Sequence, residues 1–112
     1  MKADSEKIYY FIGIGGVGMS ALARLCLKDG YSVYGYDKIS SEITDQLIKK
    51  GINIIFDNSV SALNELLLST EVQIIYSAAI PNSHPQLEFY KKQGNNVNKR
   101  AEFLAKICND KK

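Results

Sequence analysis

Four glycines fall within the six residues Gly13-Ile14-Gly15-Gly16-Val17-Gly18, and this GxGxxG spacing suits the holding of a diphosphate. The run follows the β-branched and aromatic segment Ile8–Ile12 and precedes apolar residues at helical spacing, so it is the turn from a strand into a helix. The first glycine then permits the tight turn, the second lets backbone approach a pyrophosphate, and the third lets the helix pack closely on the strand. A helix starting here offers an anion N–H groups without intrahelical partners and the positive end of its dipole. The alternative is glycines that serve only a compact turn, but four of them weaken the chain unless close approach is needed.

Asp37 closes the next strand-like segment, where a carboxylate can accept hydrogen bonds from ribose hydroxyls or a base N–H and would repel a 2′-phosphate; otherwise it is a solvated turn residue. Ser77-Ala78-Ala79-Ile80 follows a later strand. Its small residues leave room, and the Ser77 hydroxyl and backbone amides can hold phosphate, unless this is an ordinary loop. His84 precedes Pro85 with no carboxylate or cysteine near it in sequence, so it reads as a helix cap or surface residue rather than a catalyst. Lys99-Arg100 reads as a solvated pair, although Arg100 could reach an anion. Cys26 and Cys108 lack any CxxC or CxxH neighbourhood and read as reduced core residues, leaving a metal site unsupported. No GxxxxGK[ST] phosphate loop occurs, so no catalytic residue is assigned within this chain.

The elements that must position these residues follow from periodicity. Ile8–Ile12 is a nearly continuous apolar run, predicting a strand buried on both faces and hence central. Met19, Leu22, Ala23 and Cys26 mark one face of a helix ending near Gly30. Residues 32–36 form a second strand, and Ser40-Ser41 caps a helix through Ile43, Leu47 and Ile48 to Gly51. Residues 53–56 form a third strand, and Val60, Leu63 and Leu67 predict a helix after it. Residues 72–76 are the fourth strand, Pro85 opens a helix running to Gly94, and residues 96–98 are a fifth, weak strand. The last helix starts at about Arg100 with Phe103, Leu104, Ile107 and Cys108 as its apolar stripe. Strands alternating with helices imply right-handed crossovers: a doubly wound, Rossmann-like α/β sandwich with a five-stranded parallel sheet ordered 3-2-1-4-5 and helices on both faces. Its ligand crevice should lie at the carboxyl ends of strands 1 and 4.

At 112 residues the chain suits one domain, and 46% hydrophobic with 23% charged residues is ordinary for a globular protein. A net charge of +2 is too small to suggest a nucleic-acid surface. The apolar runs at residues 8–12 and 72–80 fall far short of the roughly 20 residues that span a bilayer, so no membrane association is expected. Met1–Lys7 carries both charge signs, unlike a secretory signal, which predicts a cytoplasmic protein. Residues 1–7 read as a flexible tail, 8–108 as the binding domain and 109–112 as a frayed end.

Phe11-Ile12-Gly13-Ile14-Gly15-Gly16-Val17-Gly18-Met19-Ser20-Ala21-Leu22-Ala23 resembles the opening of the Mur ligases, and within them the alanine-adding branch. The resemblance continues through Gly35-Tyr36-Asp37, through Tyr76-Ser77-Ala78-Ala79-Ile80 with Pro85 following, and through Lys99-Arg100-Ala101-Glu102-Phe103-Leu104-Ala105. It departs at Phe56-Asp57, where the family commonly has Gly-His, and at Ser77-Ala78, where Ser-Ser is usual. The resemblance implies the N-terminal domain of three, which holds the UDP moiety of UDP-N-acetylmuramate. A central domain takes ATP and Mg²⁺ and a C-terminal domain helps bind the amino acid, and neither cofactor would sit in this part. By position it implies UDP contacts from Gly13, Gly15, Gly16, Val17, Gly18, Met19, Asp37, Ser77, Ala78, Ala79, Ile80 and Arg100. The reading to weigh against it is a free-standing NAD-binding regulatory module, which GxGxxG plus Asp37 equally permits.

Overall fold

The computed structural model describes residues 7–110, with the side chains of residues 7–106; residues 1–6 of the expected tail at 1–7, the side chains of Ile107 and Cys108 and residues 111–112 lie outside the described residues. The chain runs β1 (Ile8–Ile12), α1 (Val17–Lys28), β2 (Ser32–Tyr36), α2 (Glu42–Lys49), β3 (Asn53–Ile55), β4 (Gln73–Tyr76), α3 (Pro85–Gln93), β5 (Val97–Lys99) and α4 (Arg100–Asp110). The strands form one parallel sheet ordered β3-β2-β1-β4-β5, as the crossover rule requires. Ile12 lies beside both Tyr36 and Tyr76, so β1, β2 and β4 end level with one another at the carboxyl edge.

Because strand side chains alternate, β1 feeds two cores. Tyr9 and Phe11 pack with Met19, Leu22, Cys26, Leu47 and Phe103 under α1, α2 and α4, while Tyr10 and Ile12 pack with Leu63, Leu67, Leu87 and Tyr90 under α3 and the β3–β4 connection. Ser41 caps α2: its Oγ accepts from the Thr44 N–H, and the Thr44 hydroxyl in turn accepts from the Ser41 N–H. Pro85 occupies the first turn of α3, and Gly94 ends it in the left-handed conformation. In α4, of the expected apolar stripe Phe103 is buried and Leu104 is 40% exposed.

The helix expected across residues 60–67 does not form. Two 3₁₀ turns, Val60–Ala62 and Glu65–Leu68, stand in its place. Leu63 and Asn64 are extended between them, and the Asn64 side chain accepts from the Leu67 N–H at 2.9 Å. An asparagine that bonds nearby backbone competes with helix propagation. Gln86 also holds the segment ahead of the turns, its Nε2 donating to the carbonyls of Asp57 and Ser59, each at 2.9 Å. Leu63 and Leu67 still reach the core, so the apolar spacing served burial without an α-helix.

Burial raises the phenol pKa values of Tyr10 and Tyr90 above their ordinary value, while the unfolded chain titrates near 10. The folded form therefore resists losing these protons. Their contribution to stability is complete below about pH 10 and is lost as the pH climbs from there towards the folded pKa values. Denaturant melts at pH 8 and pH 11 should show lower stability at the higher pH; equal midpoints would contradict the burial of these hydroxyls.

Candidate functional site

A crevice of about 520 Å³ opens at the carboxyl edge of the sheet, where ligands bind in doubly wound folds. One lip is Gly13 and Gly16, the other is Ser77, Ala79, Ile80 and Pro81, and Tyr36, Asp37, Lys38, Asn58 and His84 complete the lining. Another hollow, beside Tyr9, Cys26 and Phe103, lies at the amino ends of β1 and β4. The helix N-termini that follow the strands point away from it.

The glycine turn is tightly held. Gly13 has φ +93°, and a Cβ there would stand 2.9 Å from the Ser77 Cβ, so the two lips meet at a position only glycine fills. The N–H groups of Gly13 and Ile14 both donate to the Tyr36 carbonyl, Gly16 donates to Gly13, and Gly15 donates to Asp37 Oδ2 at 2.7 Å. The Asp37 Oδ1 accepts from the Lys38 N–H at 2.8 Å. Gly16 caps α1 without a side-chain hydrogen bond, and the first intrahelical bond to it comes from Ser20. The amides of Val17, Gly18 and Met19 thus have no intrahelical acceptor. An anion at this helix end would meet these three amides, with the Gly15 amide already engaged by Asp37.

Of the residues singled out in the sequence, Gly13, Gly16, Asp37, Ser77, Ala79 and Ile80 line the crevice together. Gly15 lies behind the turn, where a Cβ would approach Asp37 Oδ2 to 2.6 Å; its lack of a side chain makes room for the Asp37 carboxylate. Gly18 lies under Arg100, whose Nη1 would be 3.0 Å from a Cβ there, so this glycine admits the arginine beside the helix start. Val17 is 80% exposed, whereas Met19 is buried in the core and can offer only its amide. Ala78 is exposed and outside the crevice lining. The Ser77 Oγ accepts from the Ala79 N–H at 3.1 Å, leaving its own proton to donate.

Lys38, Asn58 and Pro81 carried no sequence signal strong enough to mark them. His84 proves to be the cap of α3, its Nδ1 accepting from the Leu87 N–H at 3.4 Å, but it is buried rather than on the surface. Its ring stands edge to face with Tyr36 at 4.8 Å between centroids. Cys26 is a buried thiol. Among the described residues no group of three His, Cys, Asp or Glu could hold a metal ion, and no helix is long and apolar enough to cross a membrane.

Comparisons with known proteins place the chain and its fold in a family. The UDP-N-acetylmuramate--L-alanine ligase of Porphyromonas gingivalis is 45% identical over 102 residues, covering 90% of this chain and 22% of its own length. The enzyme of the same name from Christiangramia forsetii is 40% identical over 107 residues, covering 94% and 24%. The crystal structure of UDP-N-acetylmuramate-alanine ligase MurC from Thermotoga maritima superposes with a TM-score of 0.83 at 27% identity, over 95% of this chain and 23% of that one. The chain therefore spans under a quarter of the length of these relatives. The sequence model described as Mur ligase family, catalytic domain, matches residues 8–112, and the chain belongs to the Mur ligase family.

Proposed function

We propose that this domain holds the UDP moiety of UDP-N-acetylmuramate, as the N-terminal part of an ATP-dependent ligase that joins L-alanine to it in cytoplasmic peptidoglycan precursor synthesis. The observation that carries this reading is the start of α1, whose Val17, Gly18 and Met19 amides lack intrahelical acceptors beside the crevice and under Arg100. Those amides take the diphosphate through hydrogen bonds and the helix dipole, and Arg100 adds a fixed positive charge. Ser77 donates its hydroxyl proton from the opposite lip. Asp37 faces the nucleoside while holding the Gly15 amide.

The names of the relatives support the muramyl substrate, and the crevice supplies binding without chemistry. ATP and Mg²⁺ belong to a central domain of the whole enzyme, where the lactyl carboxylate becomes an acyl phosphate that the alanine amine attacks. This chain has Met19-Ser20 after its glycine turn rather than the Lys-Ser/Thr that reaches terminal phosphates. Calorimetric titration of the 112-residue chain with UDP-N-acetylmuramate, UDP and NADH tests the reading: the two uridine nucleotides bind and NADH does not. NADH binding with no response to either uridine nucleotide would replace it with the NAD-binding regulatory module.

A further inference from the structure

His84 caps α3, is only 5% exposed and lines the crevice. A backbone N–H donates only to an unprotonated ring nitrogen, so the Leu87 N–H at Nδ1 places the imidazole proton on Nε2. That nitrogen is sealed from water and has no hydrogen-bond partner among the described residues. A buried donor without an acceptor is a standing cost to the folded chain, and natural proteins leave few such groups. Leu87 and Tyr36 fix the ring from two sides, so it cannot simply turn outwards to find solvent.

We infer that His84 is a nucleoside-contacting residue, its Nε2–H donating to a carbonyl oxygen of the base bound in the crevice. The inference rests on the proposal that the crevice takes a uridine nucleotide, and adds a residue to that site. The place favours the base over the phosphates: His84 packs on Tyr36, next to Asp37, whereas the diphosphate reading belongs to the α1 amides. The charge state agrees, because burial holds the imidazole below its ordinary value of 6.5. A neutral N–H suits a neutral carbonyl, while a phosphate is better met by a cation. Since Nε2 is closed off, the side chains around it have to shift as the base enters, and engagement must register at His84 itself.

His84 is the chain's sole histidine, so ¹⁵N-detected imidazole spectra contain one pair of ring nitrogens. Titrating the 112-residue chain with UDP should move the Nε2 signal while Nδ1 stays unprotonated, uridine should do the same at higher concentration, and inorganic pyrophosphate should leave it in place. His84→Asn retains a good helix cap but not the reach; it should melt close to the parent and bind UDP about 3- to 10-fold more weakly, the worth of one hydrogen bond. If UDP binds with Nε2 unmoved and His84→Asn binds as tightly as the parent, His84 is a cap alone. Movement of Nε2 by pyrophosphate as much as by UDP would also overturn the assignment to the base. A parent chain that binds no UDP would fail the crevice reading itself, a result distinct from either of these.

Discussion

Gly15→Ala lowers the affinity for UDP by about 10- to 100-fold, the loss expected when a hydrogen bond to a charged group is broken at the binding turn. The added methyl would stand 2.6 Å from Asp37 Oδ2, 3.2 Å from its Cγ and 3.2 Å from Thr44 Cγ2. Thr44 cannot yield, because it is fully buried and its hydroxyl completes the cap of α2. Asp37 must therefore leave the Gly15 amide, and the turn that aims the Val17–Met19 amides shifts with it. The fold itself loses one partly buried hydrogen bond at the edge of the sheet, about 1.5 kcal/mol, the lower end for a charged acceptor because the half-exposed Asp37 carboxylate can rehydrate, so the melting temperature falls by roughly 6 °C. Gly16→Ala provides the steric contrast, since a Cβ there meets nothing nearer than 3.7 Å and its extended φ of −68° accepts any side chain. Calorimetry and thermal melts of both variants decide the matter; a Gly15→Ala chain that binds UDP normally but melts much earlier would make the turn purely structural.

Gln86→Leu is expected to be the most destabilising single change away from the apolar core. Gln86 is fully buried, accepts from the Tyr10 hydroxyl at 2.6 Å, and donates from Nε2 to the carbonyls of Asp57 and Ser59. Leucine matches its volume but satisfies none of these groups. One buried and two part-buried hydrogen bonds at about 1 kcal/mol each give a loss of about 3 kcal/mol, or roughly 12 °C in melting temperature for a domain of this size. Tyr10→Phe combined with Gln86→Leu should recover part of it, because both partners of one bond are then apolar. A drop below about 3 °C for the single variant would mean that the network contributes little. The variant should also loosen the 57–59 segment that carries Asn58 into the crevice, so its UDP affinity should fall as well.

The glycine turn was recognisable from residue types alone, yet the work of its individual glycines was not. Gly15 is expected from its place in the motif to let backbone approach pyrophosphate, and the structure adds that its lack of a side chain makes room for the Asp37 carboxylate. Gly18 was expected to let α1 approach the sheet, and it admits Arg100. In both cases the neighbour that decides the role is distant in sequence: Asp37 closes β2, and Arg100 opens α4. His84 shows the same division. Its capping of α3 follows from the adjacent Pro85 and the Leu87 amide, whereas its burial against Tyr36 follows only from the docking of α3 on the sheet.

By itself the sequence determined the alternation of strands and helices, the buried central strand, the cap at Ser41 and the stop at Gly94. These depend on contiguous residues, through side-chain periodicity, φ preference and local hydrogen bonding, and right-handed crossovers then leave one sheet order. The tertiary structure decided, together with the local cap at Asn64, that residues 60–68 form two 3₁₀ turns rather than an α-helix, since the distant Gln86 holds the segment ahead of them and apolar spacing leaves the balance open. It also decided the partners of the polar groups, as with Tyr10 and Gln86, which are 76 positions apart. A buried polar side chain must take whatever partner packing brings within about 3 Å, and no rule of local spacing records which one that is.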